Sequence, residues 1–305
     1  MYHNARILEK KEDDAVEGCV EISFQKTLWI CFVFLISIVG GWLTLSWSAL
    51  LVFVITTSIS LCFGHSLGMH RRLIHKSYEC PKWMEYLFVH LGVIVGLAGP
   101  FGMIQTHDLR DWAQRQNACH SYFGHKQMMV IDFFWQLFCD IKLCNPPSIN
   151  IEPVIANNKV YQWMEKTWML QQVPLALLLF MLGGISWVIW GVFVRITVSV
   201  FGHWFIGYHA HNKGHQDWVV DGASVQGHNV RFAALLTMGE SYHNNHHAFP
   251  GSANLALKDG QIDIGYIVLK GLSRMGLVWN IVLPHHLTVR PELQAAANKK
   301  VEQPN

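Results

Sequence analysis

The chain has 305 residues, 51% of them hydrophobic and only 14% charged, with a net charge of +2. Ordinary globular chains carry about 25% charged residues, so this composition falls toward the membrane class. The near-neutral balance gives no argument for a nucleic-acid partner. Seven scattered cysteines without a CxxC pair form no disulfide framework and suit a reducing compartment.

Residues 1–26 are polar and contain no cleavable signal peptide, and they read as an N-terminal segment outside the bilayer. From Thr27 to Met69 there is no Asp, Glu, Lys or Arg. One span needs about 20 apolar residues, so this stretch predicts two, at 27–45 and 48–64, with a tight turn near Ser46–Ser48. The string HRRLIH follows at 70–75. The apolar stretch Met84–Met103 reads as re-entrant or interfacial, ended by Gly99-Pro100, because a span there would put the histidines before and after it on opposite sides. A second uncharged run, Thr167–Val194, predicts spans at 168–184 and 186–202 with a turn at Gly183-Gly184. Arg195 then lies inside the fourth span, either facing a polar interior or snorkelling to an interface. Two hairpins put both termini and the middle segment on one side. Arg6, Lys10, Lys11, Lys26, Arg71, Arg72 and Lys76 flank that side, which is therefore cytoplasmic. The expected fold is an all-α integral membrane domain over 27–290. It has four transmembrane helices in two hairpins, a cytoplasmic helical cap holding a metal site, and a disordered tail at 291–305.

Histidine is the outlier. Of the 18, all but His3, His285 and His286 lie between His65 and His247. In GESYHNNHHAFP, residues 239–250, a helix places His243 and His247 one turn apart with His246 beside them, a pattern better suited to binding a metal than to packing. His70 and His75 are five apart, about 500° around an α-helix, off one stripe but usable near a helix end. His65 is expected to pack or to support a ligand. His107 and Asp111 share a helix face, whereas Arg110 and Arg115 carry no acceptor and cannot ligate, leaving Asp108 as an ion-pair partner for either. His120 and His125 are either ligands or polar surface groups. His203 directly follows the fourth span, at the depth of the site. His209, His211 and His215 read as surface histidines in a loop, His228 as part of a helix start, and His285-His286 as outside the site.

These residues resemble the integral-membrane fatty acid desaturases over roughly 27–285. The first histidine box, HxxxxH, matches His70 and His75; the third, HxxHH, matches His243, His246 and His247 with the preceding Gly-Glu and the trailing Phe-Pro. A further ligand placed after the fourth span in acyl-CoA desaturases matches His203, with Ser199 where the family has an Asn. The second box departs: His107 stands, but Arg110 and Asp111 replace two histidines, and Asp111 or His120 is the expected substitute ligand. The resemblance implies a histidine-bound di-iron (Fe2+) centre and O2-dependent desaturation of an acyl-CoA or membrane lipid. An external ferredoxin-like or small haem protein, with its reductase, would supply electrons. Glu240 and Asn244 are expected to orient the ligands by hydrogen bonds. The alternatives are an acyl-chain hydroxylase on the same scaffold, or a non-catalytic metal-binding protein of the same fold.

Overall fold

A computed structural model describes residues 5–288 and 290–296. Among the described residues, three apolar helical stretches are long enough to cross a bilayer: Phe24–Leu43, Trp47–Ile74 and Gln172–Asn212. The first two meet at a short turn, where the Ser46 side chain caps the second helix by accepting from the Ala49 amide at 3.3 Å. The third stretch, 41 residues long, doubles back on itself. Gly184 adopts φ +69° and ψ −161°, a conformation that glycine enters without penalty from a Cβ. Leu179 consequently lies against Gly191, and Gln172 meets Arg195. The reversal falls at the expected Gly183-Gly184 turn. Two of the helices continue well past the expected ends at 64 and 202, reaching Ile74 and Asn212, and these extensions carry the site.

Arg195 is fully buried and faces the interior. It donates to the carbonyls of Gly191 (2.7 Å) and Ile94 (2.6 Å) and to Oε1 of Gln172 (2.7 Å). Charge-assisted bonds of this kind contribute roughly 1.5–3 kcal/mol each. Gln172→Leu should therefore lower stability by about 2 kcal/mol, read as a reduced melting temperature in detergent. An unchanged melting temperature would show that the two carbonyls suffice.

The Met84–Met103 stretch is divided between two helices, Lys82–Val93 and Pro100–Arg115. Proline at the first helical position pre-sets φ and has no amide to leave unpaired. The next amides, of Phe101 and Gly102, donate to Glu165 Oε2 at 2.8 and 3.3 Å. This anchored start fixes where His107 and Asp111 emerge.

The chain is helix-rich but not all-α: among the described residues there are three short antiparallel ladders. Ile7–Leu8 pairs with Ser148–Ile149, Gly18–Ile22 with Cys139–Leu143, and Trp218–Val220 with Leu293–Ala295. The last pairing brings residues 293–295 against the loop after the last long helix. Residues 297–305 of the expected disordered tail lie outside the described residues. The N-terminal segment also makes contacts with the rest of the chain. Arg6, 3% exposed, donates to the carbonyls of Leu73 and Ile74 and pairs with Asp108 at 3.3 Å, tying the segment to the end of the second long helix. One core, with Ile30, Val33, Val192 and Ile196, lies between the apolar helices; a second, with Met69, Leu73, Val93 and Ile104, packs around the helices that carry the first histidines.

Candidate metal centre

Beyond Ile59 the second long helix loosens into a π-helix, Ser60–Ile74, with hydrogen bonds from residue i to i+5. This bonding brings residues five apart closer to one side than a regular α-helix does, and His70 and His75 come together. The His75 amide donates to the His70 carbonyl at 3.0 Å, and the two rings are 4.6 Å apart. His107, from Pro100–Arg115, comes within 5.4 and 4.8 Å of those rings. His246, on the short helix His243–Ala248, comes within 4.6 and 4.8 Å. One nitrogen from each of these four lies within 4.8 Å of the other three.

The same short helix feeds a second cluster of His211, His243 and His247. His243 Nε2 is 3.0 Å from Nε2 of both His211 and His247. The rings of His243 and His246 are 5.5 Å apart, so the clusters adjoin. His211 is the residue that sequence reasoning missed. It is 4% exposed because the last helix runs on to Asn212. The available signal was that no proline occurs between Pro174 and Pro250.

Other candidates sit elsewhere. His203 is exposed on its helix, with its ring 5.0 Å from that of His65, and neither belongs to a cluster. Ser199, one turn earlier, is buried. His120 caps the short helix Ser121–Gly124, accepting from the Tyr122 amide at 3.2 Å, and stacks on Trp135. Asp108 pairs with Arg6 instead of Arg110 or Arg115. Arg110 donates to His125 Nε2 (2.6 Å) and Gln136 Oε1 (2.7 Å). Because guanidinium can only donate, His125 accepts at Nε2 and gives its Nδ1 proton to Asp132 at 2.8 Å. Trp204 donates to the same Asp132 oxygen at 2.9 Å. The His125 ring lies 5.2 Å from that of His211 at 14°, a parallel stack behind the second cluster.

Glu240 supports the first cluster. Its Oε2 is 2.7 Å from His70 Nδ1, and its Oε1 accepts from Ser66 and lies 3.3 Å from Arg71 Nη2. Burial works to raise this carboxyl, but His70 and Arg71 outweigh it and hold the group far below the usual carboxylate range. Asn244 does not orient an imidazole. Its Oδ1 accepts from the amides of Asp217 and Trp218, and its Nδ2 donates to the carbonyls of Trp218 and Gly227, which pins the loop around the third box. Glu240→Gln should weaken metal binding roughly 10–100-fold, as losing such a partner does elsewhere, measured by competition with a chelator. An unchanged Kd would show that Glu240 does not orient His70.

The residues fit transition-metal ions. Both ring nitrogens of His246, and Nε2 of His75, are buried without a hydrogen-bond partner, a costly state that a bound cation would relieve. Burial draws His243 and His246 well below the ordinary imidazole value and His247 down to about 4, so these rings stay neutral with lone pairs available. The 3.0 Å spacing of nitrogens suits two ligands on one cation at about 2.0–2.1 Å each. Imidazole donors favour Zn, Cu, Fe and Ni.

Adjoining imidazole clusters at the ends of helices long enough to cross a bilayer define a histidine-built metalloprotein of the membrane. No protein-family model matches the chain. It is 33% identical over 243 residues to the sn-1 stearoyl-lipid 9-desaturase of Synechocystis sp., covering 78% of this chain and 73% of that one. It is 31% identical over 238 residues to the sn-1 stearoyl-lipid 9-desaturase of Anabaena variabilis, covering 78% and 85%. An acyl-CoA 5-desaturase of Anemone leveillei is 30% identical over 253 residues, covering 81% and 76%. The chain belongs to the fatty acid desaturase family.

Proposed function

We propose that this chain is an oxidoreductase that introduces a double bond into the acyl chain of a membrane lipid or acyl-CoA. The observation that carries the reading is the convergence of seven imidazoles, from three helices and the third histidine box, into two adjoining clusters. His70, His75, His107 and His246 would hold one iron, and His211, His243 and His247 the other. Iron bound there supplies the power to activate O2 and remove hydrogen from an unactivated methylene, which no side chain can do.

The chain's own residues prepare that site. Glu240 fixes the orientation of His70, the short helix His243–Ala248 shares its rings between the clusters, and burial keeps His243, His246 and His247 unprotonated. The reversal at Gly184 supports four crossings, with both termini and the clusters on the cytoplasmic side. There an external ferredoxin-like or small haem donor would deliver two electrons.

The test is expression with added iron in a host lacking its own desaturase, followed by gas chromatography and mass spectrometry of fatty acid methyl esters. A new O2-dependent unsaturated acid and about two irons per chain are expected. A hydroxylated product, or no new double bond from folded, iron-loaded protein, would overturn the reading.

A further inference from the structure

The second cluster depends on a ring at the very end of a helix. His211 is the next-to-last residue of Arg195–Asn212, in a final turn whose carbonyls have no partner further along the helix. Helix ends of this kind fray, yet His211 is 4% exposed and its ring is oriented. Its Nδ1 lies 2.7 Å from the Gly207 carbonyl, which can only accept. Nδ1 therefore carries the proton, and Nε2 keeps the lone pair, 3.0 Å from His243.

What holds this last turn is His125. Its carbonyl accepts from the Asn212 side chain at 2.9 Å, and its ring lies parallel to the His211 ring at 5.2 Å. The His125 backbone is left-handed, with φ +51°, an uncommon state for a residue with a Cβ that persists where the surroundings over-determine it. Arg110 engages one ring nitrogen at 2.6 Å and Asp132 the other at 2.8 Å. Arg110 is held in turn by Gln136, and the fully buried Asp132 by Trp204. Opposite charges thus clamp one imidazole from both sides, behind the cluster and out of contact with it.

This gives the altered second box a purpose. Its histidine, His107, serves the first cluster, while Asp111 belongs to neither and lies 3.4 Å from Arg115. We propose that Arg110 and Asp132 are positioning residues for the second metal: by locking His125 they hold His211, a ligand supplied by another helix. The inference rests on the paired-metal reading above.

The experiment uses full-length protein in detergent, loaded anaerobically with 57Fe(II). Affinities are read by competition with a chelator and iron environments by Mössbauer spectroscopy, the signal lost in His211→Ala marking the second site. Arg110→Met should weaken the second iron roughly 10–100-fold, as losing an outer partner does elsewhere, and broaden its signal while leaving the first iron unchanged. Arg110→Lys can still donate to His125 but lacks the planar fork that also reaches Gln136, so it should fall between. Arg110→Met leaves the buried Asp132 without its counter-charge. Asn212→Ala uncovers no charge and should weaken the same iron alone, which keeps the test decisive if Arg110→Met does not fold. An unchanged second iron in whichever of these two variants folds would overturn the assignment. So would equal weakening of both irons, the result of a general loosening. A natural chain that binds a single iron overturns the paired-metal reading and this inference with it, whereas two irons indifferent to these variants overturn this inference alone.

Discussion

Replacing His246 with alanine should empty the four-histidine cluster and take desaturation below detection. His246 is 1% exposed and both its ring nitrogens lack a hydrogen-bond partner, so nothing in the apo protein rewards keeping an imidazole there. Its ring lies 4.6 and 4.8 Å from those of His70 and His75 and 5.5 Å from that of His243. Losing a residue that merely orients a ligand costs roughly 10–100-fold in affinity or activity, so losing the ligand should cost more. The matched comparison is His120→Ala. Because His120 caps a helix away from both clusters, that variant should keep its iron and its product. It should lose only about 1 kcal/mol of stability, the usual cost of a helix cap. Iron counts and methyl-ester analysis of the two variants check the pair. Full iron and activity in His246→Ala would remove the first cluster from the chemistry.

The contrast between these two histidines shows what the sequence could reveal. Boxes one and three were legible because their ligands are spaced by local helix geometry, and charge-free runs announce apolar helices by composition alone. The Gly183-Gly184 turn was legible for a similar local reason, since glycine marks a reversal. His211 was not, because its role depends on the last helix continuing past the expected span end, where it meets His243 across 32 residues of chain. His203 drew attention at the right depth, but it stands on the exposed side of its helix, and depth does not fix which face a residue occupies. Arg110 has no acceptor to offer a cation, and the structure gives it His125 and Gln136 as partners. Its bond to His125 rests on the short helix Ser121–Gly124, which His125 follows and which long-range packing positions. Arg6 gives the same lesson. A lysine- and arginine-bearing N-terminal stretch reads as a topology signal, yet this arginine is buried against Asp108 and the end of the second long helix. Local spacing identifies donors, whereas long-range packing decides which of them meet.

That packing depends on a close helix contact, and disturbing it should have the largest effect away from the histidines. Gly64 and Gly68 are four apart on the π-helix and lie against Leu91-Gly92 and Phe88 of Lys82–Val93. A Cβ at Gly68 would stand 2.3 Å from the Phe88 carbonyl oxygen, and one at Gly64 2.3 Å from the Leu91 carbonyl. The obstacles are backbone atoms, so no rotamer change can clear them, and the helices must separate. Small residues spaced in this way let apolar helices approach closely, where packing is the main attraction available in lipid. Overpacking costs about 1–3 kcal/mol, and each kcal/mol lowers the melting temperature of a chain this size by about 2–4 °C. Gly68→Val should therefore melt roughly 6–12 °C lower at the upper end of that cost. It should also lose iron from the first cluster before the second, because His70 is two residues beyond Gly68 on the displaced helix, whereas His211 is carried by a different one. Thermal melting in detergent, with Mössbauer spectra of the surviving fold, would read both effects. A Gly68→Val protein with unchanged melting temperature and both iron signals intact would show that this contact does not set the position of His70.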